Sequence, residues 1–140
     1  MERIVSPSIL AADFNNLSSE IQKINKSLAQ WLHCDVMDGV FVPNISFGQP
    51  VLKKIAQISE KPLDVHLMIV EPDKHIDSFI ELGAKNITVH YEACRHLHRT
   101  ILHIKKKGIR AGVSLNPHTP VHLLEEIIQD IDLVLIMTVN

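Results

Sequence analysis

Trp31-Leu-His-Cys-Asp-Val-Met37 decides the fold, because its residues sort by parity. Successive side chains of a strand point to opposite faces, so His33, Asp35 and Met37 share one face and Leu32, Cys34 and Val36 the other. Leu63 to Met68 repeats the division, with Asp64, His66 and Met68 against Leu63, Val65 and Leu67. Asn86 to Tyr91 does so again, with Thr88 and His90 opposing Ile87, Val89 and Tyr91. An open α/β sheet carries helices on both faces and would bury these ionisable groups against apolar side chains, which is costly unless they are paired. A closed parallel barrel gives them a common interior.

The flanking sequence supplies the other elements. Ile4 to Ile9, Ala111 to Asn116 and Asp132 to Met137 are further β-branched runs, making six expected strands. Between the runs, Leu17, Ile21, Ile24 and Leu28 recur at helical spacing, as do Val51, Ile55 and Ile58, then Leu97, Ile101 and Ile104, then Leu124, Ile127, Ile128 and Ile131. Thr119-Pro120 reads as a helix cap and first helical residue, Glu71-Pro72 as a weaker start, and Gly83 and Gly108 as C-terminal stops. Lys105 to Lys107 fall in a last turn, where cations suit the helix dipole. The order βαβαβαβαβαβ requires a parallel sheet with right-handed crossovers. Length pulls against the barrel, since 140 residues suit an open doubly wound sheet while a complete (β/α)8 barrel takes about 250.

The chain is long enough for one core, and residues 1–140 are read as a single domain. Its 14 basic and 16 acidic side chains leave a net charge of −2, which gives a nucleic acid or an anionic membrane no electrostatic footprint. Two cysteines without CxxC spacing suit a reducing compartment. Glu2 and Arg3 precede only two apolar residues before Ser6-Pro7, so no secretory signal is read, and a cytoplasmic location is expected. GxGxxG, Walker, GxSxG and HExxH patterns are absent, so dinucleotide, P-loop and common hydrolase chemistry lack support and no organic cofactor is expected.

His33 and Asp35 project the same way and could bind one divalent metal. With nine histidines in the chain, a lone His-x-Asp arises easily by chance. His66 on the matching face of the next strand completes a convergent three-ligand set, with satisfied buried polar groups as the plainer alternative. His90, inward at a strand end, suits either a hydrogen bond to the site or a structural role. His75, His96, His98, His103, His118 and His122 read as solvated. Met37, Met68 and Met137 end strands, either filling the core or forming a soft lid that excludes water. Ser8 offers its hydroxyl to a ligand or to a turn, and Cys34 points to the helix side as an inert thiol.

On these residues the chain resembles the ribulose-phosphate 3-epimerases over its whole length. The resemblance is carried by Ser6-Pro-Ser-Ile-Leu-Ala-Ala-Asp-Phe14, WLHCDVMDGVFVPNISFG (31–48), PLDVHLMI (62–69), ITVHYEA (87–93), HLHRT (96–100), AGVSLNPHTP (111–120) and DLVLIMTVN (132–140). It implies a TIM (β/α)8 barrel of the ribulose-phosphate-binding type, of which this chain supplies the N-terminal portion, about six βα units. It implies a reaction that interconverts D-ribulose 5-phosphate and D-xylulose 5-phosphate by inverting C3, in the pentose phosphate pathway. By position, His33, Asp35 and His66 become ligands of one divalent metal ion (zinc, iron, manganese or cobalt). Asp35 also becomes an acid/base carboxylate, and Ser8, His66, Met37, Met68 and Met137 become substrate contacts.

The family's pattern continues beyond Asn140 into a second aspartate that is the other proton carrier and fourth metal ligand, into phosphate-binding loops, and into further strands. That second carrier is absent from these 140 residues. The chain is therefore expected to be a fragment, inactive alone. Its open strand edges and uncovered residues such as Leu133 and Leu135 are expected to drive homo-oligomerisation. An epimerase for a related ketose or hexulose phosphate and a non-catalytic scaffold are the alternatives.

Overall fold

Five parallel strands stand side by side in sequence order, β1 (Leu32–Met37), β2 (Leu63–Met68), β3 (Ala84–His90), β4 (Arg110–Leu115) and β5 (Leu133–Ile136). The computed structural model describes residues 3–139. Met1, Glu2 and Asn140, which enter the readings of the chain ends, lie outside them. α1 (Leu17–Lys26) precedes β1, and the four crossovers run through α2 (Gln49–Ile58), α3 (Ile76–Glu81), α4 (Leu97–Lys106) and a 3-10 helix over Val121–Asp130.

Parity along the strands separates two environments. On the helix side, Leu32, Cys34, Val65, Leu67, Ile87, Val89, Ala111 and Val113 are buried with Ile21, Leu52, Ile55, Ile76, Phe79, Ile101 and Ile104. Each fully buried aliphatic side chain contributes about 1.5–3 kcal/mol, so this layer holds the helices to the sheet. The other face carries the polar series, set by the pairings Asp35↔His66, His66↔Thr88 and His90↔Ser114. The sheet curves enough for β1 and the residues around β5 to line one cavity of about 400 Å³.

Three expectations need correction. Ile4 to Ile9 forms no strand: the segment lies along β1 with one parallel bridge, Ser8↔His33. The backbone N–H groups of Trp31 and His33 donate to Val5 and Pro7 at 3.3 and 2.9 Å. The preceding rung of a parallel ladder, Ser6 with Trp31, would need an N–H from residue 7, which proline lacks. Six expected strands are therefore five. The apolar run from Leu124 to Ile131 lies in a 3-10 rather than an α-helix, with only Leu124 fully withdrawn from solvent. Finally, Pro120 rather than Thr119 occupies the cap position there, without a side-chain cap, and the Thr119 hydroxyl donates to Glu92 instead. Glu71-Pro72 does open a helical turn, a short 3-10 piece over Pro72–Lys74 ahead of α3, with Glu71 at a φ of 49°.

Candidate metal centre

His33 and Asp35 leave β1, and His66 leaves β2, toward the same concave face of the sheet. One ligand atom from each lies within 4.8 Å of the others. Asp35 Oδ1 is 3.0 Å from His33 Nε2 and 3.1 Å from His66 Nδ1. Its Oδ2 accepts from the Ser8 hydroxyl at 2.5 Å, while Ser8 Oγ also accepts from Leu10 N–H and caps the 3-10 turn Ile9–Ala11. The capping role considered for Ser8 is thus present, and its hydroxyl proton goes to Asp35.

Further polar groups fix the rings from behind. His33 Nδ1 donates to Asp64 Oδ2 at 2.7 Å, and Asp64 Oδ1 accepts from Asn86 Nδ2 at 2.6 Å. His66 Nε2 meets His90 Nε2 at 2.9 Å, and His90 Nδ1 lies 3.2 Å from Glu92 Oε2. Glu92 Oε1 accepts from the Asn116 backbone N–H at 2.8 Å and from Thr119. Phe41 packs on the His90 ring with centroids 4.6 Å apart. A continuous polar chain therefore crosses β1 to β3 and reaches the loop after β4.

Charge follows this geometry. Burial raises the Asp35 carboxyl, but hydrogen bonds from His33, His66 and Ser8 outweigh it and hold the pKa well below the usual range. Burial likewise opposes ionisation of Asp64, and His33 and Asn86 overcome it. His33 loses by burial and gains more from Asp35 and Asp64, ending near 9. Burial and the neighbouring His66 push His90 down to about 4. Glu92 stays below its ordinary value because Thr119 and Asn116 outweigh its desolvation.

The donor set fits a cation. Asp64 is ionised and accepts only, so His33 carries one proton on Nδ1 and presents Nε2 to Asp35 Oδ1. Two imidazole nitrogens then face one carboxylate oxygen, an arrangement that needs positive charge among them, supplied by an extra proton on His33 or by a divalent ion. Imidazole, carboxylate and imidazole with a carboxylate behind one ring is the donor chemistry of a divalent metal site.

Met37, Met68 and Met137 line the same cavity, with Leu10, Val42, Pro43 and Asn116. Cys34 faces away, wholly buried, and desolvation pushes its thiol far up. His75, His96, His98, His118 and His122 are exposed and His103 partly so, and none of them lines the cavity. The sequence reading assigned no part to Asp64 or Glu92. Asp64 carried a signal, since Asp64-x-His66 mirrors His33-x-Asp35 on adjacent strands, whereas Glu92 follows the end of β3 and had none.

The model of the "Ribulose-phosphate 3 epimerase family" matches residues 4–140. Ribulose-phosphate 3-epimerase of Bacillus subtilis (strain 168) is 54% identical over 136 residues, 97% of this chain and 63% of that protein. The Synechocystis enzyme of the same name is 50% identical, covering 98% of this chain and 60% of the relative. Ribulose-5-phosphate-3-epimerase, chloroplastic, of Arabidopsis thaliana is 48% identical, covering 98% and 50%. The chain thus spans between half and two thirds of the length of these relatives. Among solved structures, KGPDC from Streptococcus mutans superposes with a TM-score of 0.63 at 15% identity, over 97% of this chain and 62% of that one. The N-terminal domain of a putative aldolase from Bacteroides vulgatus gives 0.64 at 15% identity, over 96% and 54%. At that identity the likeness speaks for the fold, a partial barrel of the TIM type.

Proposed function

The chain belongs to the ribulose-phosphate 3-epimerase family, and on that premise we propose that it carries one half of the machinery that inverts C3 between D-ribulose 5-phosphate and D-xylulose 5-phosphate. The observation that carries this reading is the convergence of His33, Asp35 and His66 beneath a cavity rimmed by three methionines. His33, Asp35 and His66 would hold one divalent ion, for which zinc, iron, manganese and cobalt are the candidates. Such an ion supplies positive charge beside the oxygens next to the proton being removed.

The protein's own groups do the rest. Asp35, kept ionised by its partners, is the carboxylate among the described cavity-lining residues that can take a proton from C3. Ser8 holds the Asp35 oxygen that faces away from His33 and His66, fixing the carboxylate plane. Met37, Met68 and Met137 give the planar intermediate a polarisable apolar cover that keeps water from reprotonating it. Inversion needs a second carrier on the opposite face, and in this reading the rest of the whole enzyme supplies it together with the phosphate grip.

Asp35→Asn in the whole enzyme is expected to abolish both epimerisation and solvent-deuterium exchange at C3. Exchange persisting at the wild-type rate in that variant would show that the base is elsewhere.

A further inference from the structure

His90 and Glu92 take no part in the chemistry above, yet they are built onto it. His90 is wholly buried, and the Glu92 side chain is only 19% exposed. Glu92 Oε1 is committed to the Asn116 backbone N–H, a donor that cannot become an acceptor, and to the Thr119 hydroxyl. Its Oε2 faces His90 Nδ1, so an ionised Glu92 places the His90 proton on Nδ1. The His90 Nε2 lone pair then faces His66 Nε2 at 2.9 Å and must receive a proton from it. His66 thus commits Nε2 to His90 and keeps Nδ1, 3.1 Å from Asp35 Oδ1, for the metal centre: a divalent ion would take the Nδ1 lone pair, and without the ion a second proton on Nδ1 meets the Asp35 carboxylate.

We propose that Glu92 is a positioning residue that acts through His90 to fix the tautomer of His66, aiming a free ring nitrogen at the divalent cation. The proposal rests on the metal reading of the site, and it concerns two side chains that touch neither the ion nor the substrate. The relay runs Glu92, His90, His66, each acceptor selecting the proton position of the next ring. Phe41, packed on the His90 ring, resists the rotation that would undo it.

Glu92→Gln tests the relay with little change of shape. Asn116 N–H still demands an acceptor, so the glutamine carbonyl stays at the Oε1 position and its NH2 turns to His90 Nδ1. That donor puts the His90 proton on Nε2, facing a bare His66 Nε2, so a metal taking His66 Nδ1 would have to strip the ring of its last proton. Ring-nitrogen NMR of 15N-labelled, metal-free protein should show His90 Nδ1–H and His66 Nε2–H in the wild type, and His90 Nε2–H with a bare His66 Nε2 in Glu92→Gln. Zinc affinity by calorimetry should fall about 10- to 100-fold. Thr119→Val loosens Glu92 but leaves its carboxylate on His90, so the tautomers should stay as in the wild type. In a His90→Leu background, Glu92→Gln should change zinc affinity no further.

A His90 proton on Nε2 in the wild type, unaltered tautomers in Glu92→Gln, or an equal zinc loss in Thr119→Val would overturn the proposal. The expected tautomers in a wild type that binds no zinc would leave the relay standing and refute the metal reading instead.

Discussion

Gly112 shows how tightly the polar interior is packed. A Cβ there would run into the Thr88 side chain, whose hydroxyl accepts from Asn86 Nδ2 at 3.2 Å. Gly112→Ala should therefore destabilise the fold by about 1–3 kcal/mol, read as a lowered denaturant midpoint. A midpoint unchanged from the wild type would mean that Thr88 moves aside freely. Cys34→Ala probes the opposite face. Its thiol lies on the helix side, so a modest loss of stability with near wild-type turnover in the whole enzyme is expected, and a large loss of turnover without unfolding would contradict the strand register. At this scale the sequence already exposed His33, Asp35 and His66, because period-two alternation is local. Asp64, though placed on the polar face, was given no role and Glu92 was not singled out, because their partners sit on other strands or loops. Only the register, with His33 beside Asp64 and His90 beside Ser114, brings those partners together.

Among the elements, β2 matches its sequence reading at both ends, since it is buried on both faces and its composition leaves no other choice. The N-terminal segment fails as a strand for one missing N–H at Pro7, although its β-branched composition was right. The run ending at Ile131 kept its helical spacing but took the tighter 3-10 winding, a distinction that apolar periodicity alone does not carry. The loop after β1 depends on one carboxylate. Asp38 accepts from Val40, Phe41 and Val70 N–H groups at 2.9, 2.9 and 2.8 Å, tying that loop to the one after β2. Burial raises the Asp38 pKa, but these backbone donors outweigh it and leave it below the ordinary value. A depressed folded-state pKa means that the contribution is complete above about 3.9, the unfolded value, and is lost as pH falls through the folded one. Carboxyl NMR should find the Asp38 midpoint below about 3.9, with the Val40 and Val70 amides shifting along the same curve. A midpoint at or above the ordinary value would show that the tie does not persist in solution.

Over the whole molecule, the five strands form a curved sheet that remains open, with β5 at one edge. Val134 and Ile136 on its helix side are 38% and 53% exposed, and they rather than Leu133 and Leu135 form the more exposed apolar surface. An uncovered parallel edge with an apolar flank invites pairing with another chain. The 140-residue polypeptide on its own should therefore sediment as a self-associating species. A monomer at high concentration would show that β5 is better protected than its exposure implies.

The proposed function requires the polar faces of β1 and β2 to meet and hold one divalent ion. Calorimetric titration of zinc into the wild-type protein and into His66→Ala tests this most directly. We predict one-to-one binding in the wild type and a loss of more than about 100-fold in the variant, since removing a ligand costs more than removing a group behind it. Equally tight one-to-one binding after loss of His66 would contradict it.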